Sequence, residues 1–229
     1  MGGNVNKWRE AFRQEEGWNN RTYQAIQRAE APLIAGWLKE TGLKRMEILE
    51  LGCGNGLLAS LLCRWLAKEG IDFSYRVTDL LPEAVDSARE KFQDFPQPER
   101  ISFQPLDIHD LVQDLGPASQ SLIVSTGHAS AASYRWAVPL VAESLEPGGI
   151  LICDFINHLS PRRLLPNLAA AAARFNQVRT RRHEPEMDLY HFGRFWVADF
   201  FRQYGLKKVK FKGVGWLSYP LLAEFKKEG

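Results

Sequence analysis

The sequence predicts an α/β protein with a mainly parallel sheet and helices packed on it. Three observations carry this. Short apolar runs alternate with segments of helical composition from residue 46 onward, which is the pattern that crossover connections produce. The run Ile48 to Leu51 reads as a short buried strand, and three glycines at every second position, Gly52, Gly54 and Gly56, follow at once. Leu57 to Leu66 then has the composition of a helix. Strand, glycine turn and helix together make the opening of a nucleotide-type crossover. Its glycines permit positive φ and its helix start presents unpaired N–H groups.

The glycine spacing narrows the reading. A dinucleotide fingerprint is G-x-G-x-x-G, whereas here Leu57 stands where the third glycine would be. Glu50 lies two residues before Gly52. The resulting E-x-G-x-G-x-G resembles motif I of the class I S-adenosylmethionine-dependent methyltransferases. That resemblance implies S-adenosyl-L-methionine as cofactor, with Glu50 orienting its methionine end and Gly52, Cys53, Gly54 and Gly56 lining its back. The plainer alternative is a glycine turn that only joins strand to helix.

Composition fits one α/β domain. The 229 residues are 45% hydrophobic and 24% charged, enough apolar mass for a core. A net charge of +2 implies no strong nucleic-acid field. No apolar run is long enough to span a membrane, and the polar stretch from Met1 to Glu16 shows no hydrophobic signal core. Cys53, Cys63 and Cys153 are far apart and form neither a zinc spacing nor a disulfide framework. A reducing cytoplasm is the expected compartment.

Before the first strand, Trp8, Phe12, Tyr23, Ile26, Ile34, Trp37 and Leu38 form a helical stripe, broken at Gly17 to Asn20. Pro32 suits the first turn of a later helix. Residues 1–43 are thus expected as a helical cap. In the family it resembles, such a segment closes over the cofactor, which makes Tyr23 and Arg21 candidates for its carboxylate or sulfonium region; a packed aromatic and a solvated arginine are the alternative.

Phe73 to Thr78 reads as the second strand, ending at Asp79, with Pro82 at the start of the next helix. An acid at that strand end, 23 residues after Gly56, suits a ribose, whose two hydroxyls both donate to one carboxylate. This segment resembles the family's motif II and assigns Asp79 and Leu80 to the cofactor. A helix N-cap is the other reading of Asp79. Ile101 to Gln104 is the third strand. The following Pro105-Leu106-Asp107-Ile108-His109-Asp110 resembles motif III, which implies that Asp107 accepts the adenine amino group and Ile108 packs on the ring; Asp110 is the runner-up for that role, or a cap for the helix starting at Leu111.

Leu122 to Thr126 is the fourth strand, with Thr126 at the expected reacting end. Gln120-Ser121 replaces the aspartate that many family members carry before this strand, and no D/N-P-P-Y/F follows it, which argues against methylation of a nucleic-acid base through that motif. His128 is a candidate general base, since an imidazole titrates near neutrality; packing beside the cofactor is its alternative role. A helix from Tyr134 to Leu145, interrupted by Pro139, comes next. Leu145-Glu146-Pro147-Gly148-Gly149 reads as a turn before a fifth strand, Ile150 to Phe155, and L-x-P-G-G at this place is typical of the family.

Residues 157–192 read either as an insertion that lids the substrate site or as a solvated charged face. The run 160–194 is rich in arginine, which as a lid suits an anionic acceptor. Tyr190 and His191 are candidates for facing that acceptor. A helix from Phe195 to Tyr204, capped by Gly205, a half-exposed strand from Leu206 to Lys212, and a closing strand from Tyr219 to Phe225 complete the chain.

The expectation is a Rossmann-like three-layer sandwich with a seven-stranded, mostly parallel sheet. The resemblance implies the order 3-2-1-4-5-7-6 with one strand antiparallel. It also implies methyl transfer to an O, N or C nucleophile of a small-molecule acceptor, partly aromatic or anionic, with no metal and no nucleic-acid partner. The rival readings are an NAD(P)-dependent oxidoreductase on the same fold and a non-catalytic S-adenosylmethionine-binding protein.

Overall fold

The computed structural model describes residues 21–126, 131–155, 194–214 and 221–229. Trp8 and Phe12, the 157–192 segment, and His128, Tyr190 and His191 lie outside them.

Helix α1 (Arg21–Glu40) leads into β1 (Arg45–Leu51), α2 (Leu57–Lys68), β2 (Asp72–Asp79) and α3 (Pro82–Glu90). Then come β3 (Ile101–Pro105), the short α4 (Leu111–Leu115), β4 (Gln120–Ser125), α5 (Ala131–Ser144) and β5 (Leu145–Phe155). After the 157–192 segment the chain forms α6 (Arg194–Arg202), β6 (Leu206–Gly213) and β7 (Leu221–Lys227). The strands make one seven-stranded sheet in the order β3-β2-β1-β4-β5-β7-β6. Pairings from β3 to β5 are parallel, and β7 runs antiparallel to both of its neighbours. The expected topology, including its single antiparallel strand, is therefore the observed one.

Parallel register decides what each face carries. Val77, Glu50, Val124 and Ile152 lie side by side across β2, β1, β4 and β5. Side chains alternate along a strand, so Ile48, Tyr75 and Leu122 share their face one step back, while Asp79, Thr126 and Asp154 share it at or just past the carboxyl ends. Behind those ends the face is apolar and packs on Ile34 and Leu38 of α1 and Leu58 and Leu62 of α2. The opposite face, with Leu49, Ile123 and Leu151, packs on Val138 and Val141 of α5 and on Phe201 of α6. Phe201 stacks on Phe225 of β7 with ring centroids 4.2 Å apart. The two cores are the outer seams of a three-layer sandwich.

Three local expectations are corrected. Pro32 sits inside one continuous helix rather than in a first turn; the bond lost at Pro32 is outweighed by the buried stripe Ala31, Ile34, Ala35 and Leu38. Pro139 likewise lies within α5 and does not end it. The L-x-P-G-G stretch is not a turn ahead of β5 but an outward bulge within it. Gln120 pairs with Leu145 and Leu122 with Ile150, so two steps on β4 face five on β5. Gly149 is required there, because a Cβ would meet the Glu146 carbonyl at 2.8 Å and the Gln120 carbonyl at 3.1 Å.

Candidate active site

The glycine turn is built from backbone angles that other residues resist. Gly52, Gly54 and Gly56 have φ of 71°, 54° and 72°. Gly56 does more than turn the chain: a Cβ on it would lie 2.6 Å from the Ala88 Cβ, so its bareness lets α2 start against α3. The Asn55 Oδ1 accepts the Leu57 N–H at 3.1 Å and so caps α2, a task that Gly56 at the N-cap position cannot perform. The Cys53 N–H donates to the Thr78 carbonyl at 2.8 Å. The Cys53 side chain is buried in the core, where burial pushes its thiol up, so any part it plays at the site falls to its backbone.

Asp79 is 7% exposed and accepts two backbone donors. The Gly54 N–H reaches its Oδ2 and the Leu81 N–H its Oδ1, each at 3.0 Å. The N-cap of α3 is Leu81, so Asp79 is not the cap. Each carboxylate oxygen keeps a second lone-pair direction, which is what a ribose diol needs. Leu80 beside it is half-buried. Beyond β3, Asp107 is the N-cap of a single 3-10 turn, Ile108–Asp110, and its Oδ1 accepts the His109 N–H at 2.9 Å. Asp110 stands at the N-cap position of α4, as expected, but its side chain makes no cap bond there. Ile108 is half-buried against the second core.

Glu50 is 2% exposed. Burial pushes its carboxyl up to about 8; the nearby Tyr75 hydroxyl opposes this and the Asp79 charge adds to it. Neither the Glu50 Oε2 nor the Tyr75 hydroxyl closes a hydrogen bond. A buried carboxyl with an unused oxygen is costly unless something supplies a donor.

Helix α1 supplies the wall facing these strand ends. The Tyr23 hydroxyl donates to the Thr126 carbonyl at 3.4 Å. Burial and then the charges of Asp154, Glu30, Glu50 and Asp79 hold that phenol well above its ordinary value, so it stays a neutral donor. Gln27 and Glu30 follow on the same helical face, 2% and 1% exposed. The Glu30 carboxyl faces the Thr126 hydroxyl without closing a bond to it; the Gln27 Oε1, Glu30 Oε1 and Thr126 Oγ1 are all buried without a partner. Asp154, 4% exposed on β5, completes the group. The face of α1 thus changes character along its length: polar at 23, 27 and 30 over the strand ends, apolar at 34 and 38 over the sheet.

Tyr23, Glu50, Asp79 and Thr126 are therefore brought together, with the glycine loop between them. Sequence reasoning missed Gln27, Glu30 and Asp154. Their signal was one of phase. Gln27 and Glu30 lie in register with the apolar Ile34 and Leu38, and Asp154 is two residues beyond the buried Ile152, so all three point where an apolar residue would be expected. Among the described residues no group of histidine, cysteine and acidic side chains could hold a metal ion, and no helix is long and apolar enough to cross a membrane.

The donor requirement of this site fits S-adenosylmethionine. Unpartnered buried acceptors stand opposite a bare glycine loop, and the cofactor brings an ammonium, a sulfonium and two ribose hydroxyls.

Residues 48–149 match the family model described as a methyltransferase domain. A non-reducing polyketide synthase of Hypocrea jecorina is 34% identical over 93 residues, covering 41% of this chain and 3% of that protein. A malonyl-[acyl-carrier protein] O-methyltransferase of Acetivibrio thermocellus is 25% identical over 149 residues, covering 62% of this chain and 47% of that protein. The chain thus spans a small part of the polyketide synthases and about half of the O-methyltransferase. Among solved structures, magnesium protoporphyrin IX methyltransferase from Synechocystis with bound SAH superposes with a TM-score of 0.64 at 14% identity, over 99% of this chain and 95% of that one. The CMeT domain of the citrinin polyketide synthase gives 0.62 at 17% identity, over 87% and 52%. These likenesses establish the Rossmann-like fold.

Proposed function

We propose that this chain, which carries a methyltransferase domain of the class I fold, binds S-adenosyl-L-methionine at the carboxyl ends of β1, β2 and β4 and passes its methyl to a small-molecule acceptor. One observation carries the reading: the row of Asp79, Glu50 and Thr126 at adjacent strand ends, on the face that α1 covers. In this reading Asp79 takes the ribose hydroxyls and Glu50 the methionine ammonium. Asp107, through its Oδ2, takes the adenine amino group, with Ile108 and Leu80 against the ring. Gly52, Gly54 and the Cys53 backbone bear on the cofactor's back. Thr126 and Tyr23 border its reacting end.

The chemistry asks little of side chains. The methyl is already activated, so alignment and exclusion of water carry most of the rate. The acceptor is an oxygen, carbon or nitrogen nucleophile. The relatives' printed names, polyketide synthases and a malonyl-[acyl-carrier protein] O-methyltransferase, favour an acyl compound as the acceptor, methylated on carbon or on oxygen. The anionic character expected from the arginine-rich 160–194 run, almost all of it outside the described residues, and the roles of His128 as base and of His191 facing the acceptor, both outside them, stand as part of the proposal. An oxidoreductase is disfavoured by the glycine spacing.

The test is calorimetry of the purified chain with S-adenosylmethionine, S-adenosylhomocysteine and NAD. It is followed by methyl transfer from labelled cofactor to acyl-carrier and free-acid acceptors. Micromolar binding of the first two with none of NAD supports the reading. Uptake of NAD alone would overturn it. Tight cofactor binding with no transfer to any acceptor would favour the non-catalytic alternative.

A further inference from the structure

The acceptors in this pocket exceed what the ribose and the methionine ammonium can use. Asp79 and Glu50 account for those groups. That leaves Glu30 and Gln27 of α1 and Thr126 at the end of β4, with Asp154 of β5 acting on Glu30 by its charge. All three hold buried oxygens with no partner. Among the described residues, what acts on Glu30 is its own burial, the Asp154 charge and the Thr126 hydroxyl, and no cation is among them. Among the described residues, Tyr23 of the same helix, Glu50 of β1 and Asp79 of β2 are the other titratable groups of this site, and these too are acids or a neutral phenol. Burial, and then the Asp154 charge, hold the Glu30 carboxyl well above its ordinary value, which favours its neutral form. A wall of this kind responds to any positive charge brought beside it, because the low-dielectric surroundings magnify the effect on its proton.

Resting on the cofactor reading above, we propose that Glu30, under the repulsion of Asp154, is a specificity-determining wall that recognises the sulfonium charge, losing its proton as the cation enters and regaining it once only the neutral thioether remains. The balance is simple. Entry of the cation converts the carboxylic acid to a carboxylate and releases one proton to solvent. Loss of the methyl breaks the carbon–sulfur bond, returns the electron pair to sulfur and removes the positive charge. The carboxylate then has no cation to face and takes up a proton, either from solvent or the one that the acceptor has shed. The pocket therefore grips the cationic cofactor and loosens on its product, a discrimination that the ribose and ammonium contacts cannot supply because both ligands carry those groups.

The experiment needs no acceptor. Binding heats of S-adenosylmethionine and of S-adenosylhomocysteine to the intact chain are measured at pH 7 in phosphate and in Tris, whose different ionisation enthalpies report the protons exchanged. The expected result is about one more proton released with S-adenosylmethionine than with its product. The affinity ratio of the two should rise with pH. In Glu30→Gln, which keeps shape and burial, the extra proton should vanish and the ratio should fall about tenfold. Product binding near the wild-type value would show that this variant is folded and the cofactor site intact. Glu50→Gln should retain the extra proton. Equal proton release with both ligands in the wild type overturns the proposal, and so does loss of the difference in Glu50→Gln but not in Glu30→Gln. Failure of both ligands to bind the folded wild-type chain overturns instead the cofactor reading on which the proposal stands.

Discussion

Asp79 holds Gly54: the carboxylate at the tip of β2 accepts the amide of the loop at the tip of β1 across 3.0 Å, with both groups buried. The acid that suits the ribose is thus also the fastener of the glycine turn. Its second oxygen fastens Leu81 at the start of α3. Asp79→Ala should therefore cost stability before any ligand is added, by about 2–3 kcal/mol for two charge-assisted bonds. Urea unfolding of the free chain measures this. Cofactor affinity should fall as well, and Asp79→Asn, which keeps one acceptor, should be intermediate in both. A variant as stable as wild type would remove the fastening role.

Gly56 makes a different prediction. Its φ of 72° and the 2.6 Å approach to the Ala88 Cβ mean that Gly56→Ala combines backbone strain with overpacking. A loss of about 2–4 kcal/mol is expected from the two together. The Ala88 Cα lies only 2.7 Å from the same point, so adding Ala88→Gly should restore part of the loss and not all of it. Thermal unfolding of the single and double variants decides this. Full recovery would mean that the clash is with the methyl alone.

These two residues show what the chain disclosed in advance and what it did not. Gly56 and Asp79 stand out in sequence because glycine spacing and a strand-end acid are local signals, and local signals also mark the strands along the chain, whereas their lateral order came only from the family resemblance. That Gly56 serves Ala88 is invisible there, because the contact joins two helices through packing. Glu30 was hidden for a related reason: a helical glutamate ordinarily faces water, and only the register of β4 and β5 places Thr126 and Asp154 opposite it. The bulge at Gly148 and Gly149 was read as a turn because the same residues serve both, and only the pairing of Leu145 with Gln120 separates them.

Glu50 gives a pH dependence whose sign can be stated. Its carboxyl is raised to about 8 in the folded chain from an ordinary 4.5, so the native state binds more protons than the unfolded state between those values. Stability from this group is intact below about 4.5 and declines as pH rises towards 8. Glu50→Gln does not ionise. Its stability relative to wild type should climb over that window by up to about 4 kcal/mol, while its affinity for S-adenosylmethionine falls. Denaturant midpoints at pH 5 and pH 8 provide the check. A difference between the two proteins that is flat with pH would place the Glu50 proton outside this window.

Lys210 of β6 links α1 to the far edge of the sheet. Its ammonium donates to Glu40 at the end of α1 at 2.5 Å and lies 3.5 Å from Glu224 of β7, with the Trp37 ring beside it. Glu224 is 5% exposed. Burial raises its carboxyl and Lys210 pulls it back. Lys210→Met removes that compensation while keeping the side-chain length. At pH 4 Glu224 is largely protonated in either protein and the substitution should cost little. As pH rises to 7 the wild type gains the ion pair, whereas the variant must bury an uncompensated carboxylate or keep it protonated. The loss should therefore grow with pH to about 1–2 kcal/mol, held down by the exposure of Lys210 and Glu40. Because Glu40 anchors the same helix that carries Tyr23, Gln27 and Glu30, hydrogen exchange along α1 should quicken in the variant at pH 7 and not at pH 4. Unchanged exchange at both would show that the apolar stripe of Ile34 and Leu38 holds the helix without help from this pair.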